Sequence, residues 1–151
     1  MQKTFTTKSD IETIALGSKL GSLLQGGEFI ALTGDLGGGK TQFTKGIASG
    51  LGVSETIVSP TFTIERIYKA KEFELHHFDL YRVFNDKEIA SEIADLEKDD
   101  KNIIVIEWPE NIEGITPSEV LRIDFKYLAD NERELILKSQ GTKYESLMVK
   151  L

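Results

Sequence analysis

The stretch from Leu32 to Gly46, LTGDLGGGKTQFTKG, constrains this chain more than any other. Gly34-Asp35-Leu36-Gly37-Gly38-Gly39-Lys40-Thr41 fits G-x-x-x-x-G-K-[ST] throughout. That pattern holds a phosphate chain only when it joins a buried strand to a helix. Both flanks are predicted. Glu28 to Thr33 is a short apolar run of the kind found in strands covered on both faces, and Gly39 to Leu51 reads as a helix with Phe43, Ile47 and Leu51 on one side. The residue types match the chemistry. Glycines let backbone N–H groups converge on phosphate oxygens at the positive end of a helix, Lys40 neutralises the outer phosphates, and the Thr41 hydroxyl suits a magnesium ligand.

The remaining chain alternates helix and strand. Ser9 is a candidate N-cap, with Glu12 at the third helical position, for a first helix carrying Ile11, Ile14, Ala15, Leu20, Leu23 and Leu24 and ended by Gly26-Gly27; what precedes it reads as a polar lead-in. Phe62 to Tyr68 and Phe73 to Tyr81 are predicted strands joined as an antiparallel hairpin by the polar Lys69 to Glu72. An acidic helix is expected over Asp86 to Lys98. Ile103 to Trp108 is the second strongly buried strand, Pro109 to Pro117 a plain connector, and Glu119 to Phe125 with Arg133 to Ser139 completes the sheet. The expected fold class is α/β, a P-loop NTPase-like three-layer sandwich with a mostly parallel central sheet and an added antiparallel hairpin. At 151 residues with 40% apolar side chains, residues 1–151 are expected to form a single P-loop ATPase domain.

Charge and composition exclude other classes. The formal net charge of -7, from 25 acidic and 18 basic side chains, repels a nucleic-acid backbone, so autonomous RNA or DNA binding is not expected. There is no cysteine, hence no disulfide, thiol nucleophile or cysteine-ligated zinc, which suits a reducing compartment. No stretch approaches the roughly 20 apolar residues of a membrane span, and the expectation is a soluble, cytoplasmic protein.

A P-loop needs an acidic partner for its metal, and two carboxylates compete. Glu107 ends the more apolar strand; Asp79 ends the less apolar one, in His77-Phe78-Asp79-Leu80-Tyr81-Arg82. Alternation sets His77, Asp79 and Tyr81 on one face and directs the adjacent His76 and His77 to opposite faces, so a metal shared by the two histidines is not expected. A structural salt bridge of Asp79 to Arg82 or a lysine is the competing reading. Ser59-Pro60-Thr61-Phe62-Thr63 lies where P-loop switch proteins keep the segment that senses the outer phosphate, although Ser-Pro-Thr also suits an ordinary turn leading into a strand.

GDLGGGKT, SPTFT, HFDLYR and IEWPE, in that order, resemble the bacterial TsaE family, formerly YjeE: P-loop ATPases of tRNA threonylcarbamoyladenosine biosynthesis. The resemblance covers nearly the whole chain. It departs from the family pattern at Gly38, where alanine is usual, and at Gln42, where threonine is common. It implies ATP and Mg2+ as cofactors, Thr41 and Glu107 as magnesium ligands, and Asp35, Leu36, Gly37, Gly38, Gly39, Lys40, Thr41 and Gln42 wrapped around the phosphates. It further implies a catalytic set of Lys40, Asp79 and Glu107, with Asp79 serving hydrolysis beside the switch residues Ser59, Pro60 and Thr61. Asp10 and Arg133 would sit on the base side of the nucleotide. The implied partners are the TsaD and TsaB proteins, with tRNA reached only indirectly through them. A small-molecule kinase is the alternative, but such enzymes close arginine-bearing lids, and the four arginines, Arg66, Arg82, Arg122 and Arg133, are scattered. A guanine-reading N-K-x-D segment is absent, which argues against a GTPase switch.

Overall fold

The computed structural model describes residues Met1 to Leu151. Its centre is a seven-stranded sheet in the order β1-β7-β6-β2-β5-β4-β3. The strands are β1 (Gln2–Thr7), β2 (Phe29–Gly34), β3 (Glu65–Ala70), β4 (Phe73–Asp79), β5 (Asn102–Glu107), β6 (Val120–Ala129) and β7 (Glu132–Gln140); the helices are α1 (Asp10–Leu23), α2 (Lys40–Leu51), α3 (Lys87–Leu96) and α4 (Thr142–Lys150).

Alternation along the central strands sorts the core into two halves. Ile30 and Leu32 of β2, with Ile103 and Val105 of β5, face α1, α2 and α4 and join Leu20, Phe43, Ile47, Tyr144 and Met148 in the larger cluster. Phe29, Ala31, Ile104 and Ile106 face the other way and meet Ile93 of α3, along with Ile112 and Ile115. Helices therefore cover both faces, and the unbroken apolar runs of β2 and β5 are the sequence trace of a strand buried twice.

The sheet is mixed, where the sequence suggested a mostly parallel one. Only β6-β2-β5-β4 is parallel. β1 with β7, β7 with β6, and β3 with β4 are antiparallel. The expected β3-β4 hairpin forms, but Phe62 lies outside it on an exposed turn, and β4 stops at Asp79 rather than Tyr81. The polar lead-in is strand β1. Its inward positions, Lys3, Phe5 and Thr7, carry one apolar side chain between them, and its register is set by the exposed backbone edge of β7. The connector after β5 begins with a 3₁₀ turn, Pro109–Asn111, and sends Ile112 and Ile115 into the core. No expectation covered α4, although Tyr144, Leu147 and Met148 recur at helical spacing.

Helix α1 has the predicted Ser9 cap, whose hydroxyl accepts from Glu12 N at 3.1 Å, and its predicted apolar set is buried only in part, at Leu20 and Leu24. Ile11 is exposed, and the buried stripe is Thr13, Gly17, Leu20 and Gly21. Glycines replace aliphatics there because the backbones of α1 and α2 nearly touch: a Cβ on Gly17 would stand 2.3 Å from Phe43 O, and one on Gly46 2.2 Å from Ile14 O.

Candidate nucleotide site

Because β2, β4 and β5 are parallel, their carboxyl ends open on the same edge of the sheet, where ligand crevices form in α/β folds. β2 ends in the glycine loop, β4 in Asp79 and β5 in Glu107, and the register sets Asp79 directly opposite Glu107. Between them lies a cavity of about 360 Å³.

The loop is built to leave donors free. Gly37 and Gly39 adopt positive φ, +74° and +98°, and Gly39 caps α2 without any side-chain hydrogen bond. The first N–H groups of α2 thus keep their hydrogen-bonding capacity, and with the helix dipole they form a site for an anion. Lys40, 5% exposed, donates to Gly34 O at 2.7 Å and Asp35 O at 2.8 Å, and its ammonium lies 4.8 Å from the centre of the Trp108 ring. Burial lowers its pKa; the carboxylates of Glu107, Asp79, Glu110 and Asp35 pull it back up.

The two competing carboxylates differ in how fully they are satisfied. Both oxygens of Asp79 are occupied: Oδ2 accepts from Thr61 Oγ1 at 2.7 Å, and Oδ1 accepts from Tyr81 N at 2.9 Å. No salt bridge to Arg82 forms; that guanidinium stacks over Phe62 at 5.2 Å. Glu107 is 3% exposed, and the only hydrogen-bond partner of its carboxylate is His77, Nε2 to Oε1, at 3.4 Å. A buried carboxylate so thinly satisfied, in a cavity with the Thr41 hydroxyl, has the donor chemistry of a small hard cation. His76 turns the other way, to Glu65 Oε1 at 2.9 Å and Asn102 Oδ1 at 3.2 Å.

Almost all the sequence-predicted positions meet at this cavity. Leu36 to Gln42 line one wall, Asp79 and Glu107 the floor, and Ser59 and Thr61 a second wall, linked to each other at 2.8 Å between hydroxyls. Asp10 reaches it from the start of α1, and Arg133 from β7. Arg133 also ties down the loop, donating from Nη2 to Gly37 O at 3.2 Å. Asp35 and Pro60 are not part of the wall: Asp35 contributes its carbonyl to Lys40, and Pro60 is buried behind the turn. Sequence reasoning missed two wall residues, Trp108 and Asn131. Both hold positive φ, +59° and +61°, and are brought to the cavity by backbone turns; Trp108 lies within the IEWPE motif, where only Glu107 was assigned a role.

Known proteins resemble this chain over most of its length. A family model described as "Threonylcarbamoyl adenosine biosynthesis protein TsaE" matches residues 7–135. The chain is 36% identical over 154 residues to the tRNA threonylcarbamoyladenosine biosynthesis protein TsaE of Bacillus subtilis, covering 99% of this chain and 94% of that protein. It is 36% identical over 129 residues to the Treponema pallidum protein of the same name, covering 85% and 95%. The crystal structure of Bacillus subtilis YdiB superposes with a TM-score of 0.85 at 32% identity, covering 99% of this chain and 93% of that one.

Proposed function

Because the chain belongs to the TsaE family of tRNA threonylcarbamoyladenosine biosynthesis proteins, we propose that its cavity binds and hydrolyses ATP in the service of that tRNA modification. The single observation carrying this reading is the uncapped start of α2, which presents Lys40 and Thr41 to the same cavity as the ends of two adjacent parallel strands, Asp79 and Glu107. Residues 1–151 act as one P-loop ATPase domain of three-layer architecture.

Asp35 to Gln42 wrap the phosphates through backbone N–H groups, and Lys40 exchanges its carbonyl partners for the outer phosphate oxygens. Thr41 and Glu107 hold Mg2+, which when bound neutralises phosphate charge and polarises the phosphoryl group. Asp79 serves hydrolysis. Its bond to Thr61 ties it to the Ser59–Thr61 switch, so a change in that segment reaches the carboxylate directly. Asp10 and Arg133 flank the base side.

Arg133 is the only arginine in the cavity wall, and it is engaged with the loop backbone. That leaves no free arginine to stabilise charge on the transferring phosphoryl group, and it disfavours the lid of a small-molecule kinase. Intrinsic hydrolysis is therefore slow, and TsaD with TsaB raises it by ordering the switch or supplying a cation, an effect of roughly 10³ to 10⁵ in P-loop systems. The acidic chain leaves the tRNA to those partners, in the cytoplasm.

Calorimetry on three variants tests the reading. Lys40→Ala weakens ATP binding by about 100-fold or more, from loss of a desolvated charge contact, while the apo protein stays folded; unchanged affinity would falsify the phosphate site. Glu107→Ala loses the magnesium dependence of binding, whereas Asp79→Ala keeps binding and loses turnover. The reverse pattern exchanges the two roles. Phosphate release measured with and without TsaD and TsaB tests the activation, and fast hydrolysis indifferent to the partners would point to an independent enzyme.

A further inference from the structure

His77 is fully buried, its Nε2 lies 3.4 Å from Glu107 Oε1, and its Nδ1 has no hydrogen-bond partner at all. We propose that His77 is the positioning residue of Glu107, donating Nε2–H to one carboxylate oxygen and thereby aiming the other into the cavity; this rests on Glu107 being the magnesium ligand proposed above.

The parallel register explains the meeting. Asp79 lies opposite Glu107 and His77 opposite Val105, so His77 shares the inward face with both carboxylates, one step below them. A neutral imidazole has one N–H to place. On Nδ1 it would face no acceptor and leave a buried donor unsatisfied; on Nε2 it meets a carboxylate. The geometry therefore selects the Nε2–H tautomer. At 3.4 Å the bond is long, and its effect is directional. The Glu107 carboxylate has no other hydrogen-bond partner, so without His77 only packing and the non-directional pull of the Lys40 charge would decide which way it points. Outer partners that orient a metal ligand in this way typically govern about 10- to 100-fold in metal affinity.

The test uses the full chain with His77→Gln, His77→Asn and His77→Phe. The glutamine amide nitrogen reaches the place of Nε2, the shorter asparagine does not, and phenylalanine fills the space without a donor. Calorimetric ATP titrations are run with and without MgCl2. The expected result is that the asparagine and phenylalanine variants lose about 10- to 100-fold of the Mg2+-linked affinity, keep the Mg2+-free affinity, and that glutamine restores most of the loss. Parental Mg2+ linkage in the asparagine and phenylalanine variants, or a glutamine variant as impaired as phenylalanine, overturns the proposal. If one variant does not fold, the comparison of glutamine with the remaining variant decides. Nitrogen-15 imidazole NMR of the unsubstituted protein gives an answer independent of metal: the proton resides on Nε2, and a neutral ring protonated on Nδ1 overturns the assignment. A parent chain without any Mg2+ linkage would refute the magnesium reading itself, and the NMR result would still decide whether His77 orients Glu107.

Discussion

Two groups of glycines in this molecule do opposite work. Around Gly37 there is open space, nothing lying within 4 Å of where a Cβ would be, and the nearest atoms to a Cβ on Gly39 are at 3.8 Å. These residues are glycines for their backbone angles, φ +74° and +98°, which L side chains rarely adopt. Between α1 and α2 the situation is reversed. Gly17, Gly21, Gly46 and Gly50 sit within helices, and a Cβ on any of them would stand 2.1 to 2.3 Å from a carbonyl of the facing helix. They are glycines for want of room. Close packing there seats α1 on α2, and so keeps Asp10 at the rim of the cavity that α2 begins. Identical residues thus serve reach in one place and contact in the other.

The largest effect separating the two groups is expected at Gly46→Ala. Alanine gains about 1 kcal/mol of helix propensity, but its methyl group meets Ile14 O at 2.2 Å and Ser18 N at 2.8 Å, both of them backbone atoms. A net loss of about 3 kcal/mol follows, read as a Tm lower by roughly 6–12 °C for a chain of this size. An unchanged Tm would mean that the helices part freely, and the contrast would collapse.

A second test moves to the far end of β2, where close packing relies on a hydroxyl. Tyr144 Oη accepts from Phe29 N at 2.7 Å. Burial raises the phenol from 10.0 to about 12, the hydrogen bond from Phe29 opposing the shift and the carboxylates of Glu28, Glu119 and Glu97 adding to it. An acid whose pKa is raised by folding stabilises the native state fully while both states keep the proton. Its contribution is intact below pH 10 and is lost progressively as pH climbs towards about 12. Denaturant unfolding from about pH 9 upward checks this. Tyr144→Phe begins about 2 kcal/mol lower, from the stranded Phe29 N–H, and lacks that alkaline loss.

The smallest effects sharpen the loop side. Gly37→Ala costs about 1 kcal/mol through its left-handed backbone, with no steric term. Gly38→Ala has ordinary φ, but its methyl group would stand 2.9 Å from the backbone carbonyl of Asp35, which has to shift slightly, so a small loss of stability, below that of Gly37→Ala, is expected. Parallel melts and ATP titrations of the pair rank the two, and a larger penalty at position 38 than at position 37 would reverse the explanation.

Most of the candidate site is legible in the amino-acid sequence because phosphate chemistry demands particular residues at particular spacing. Gly34 to Thr41 is such a demand, and the motif around Asp79 and the carboxylate ending β5 are nearly so. Trp108 and Asn131 are not legible, since they reach the cavity through backbone turns that many sequences allow. Strand β1 is hidden because an edge strand is held by backbone pairing, which leaves little apolar pattern; Phe5 is its lone aromatic. The face of α1 is legible only in part, at Leu20 and Leu24, for a related reason. Aliphatic spacing marks where a helix meets side chains, whereas α1 meets a backbone.

The residues thus determined by themselves the glycine-rich loop between strand and helix, the two doubly buried strands and the family, because each is written in local side-chain chemistry and period. Only the tertiary structure decided which carboxylate is free. In the sequence Asp79 and Glu107 are both carboxylates ending predicted strands, but Thr61 and Tyr81 N occupy both oxygens of one, while the other has only His77 at 3.4 Å. That difference comes from long-range register and hydrogen-bond supply, which no local pattern records.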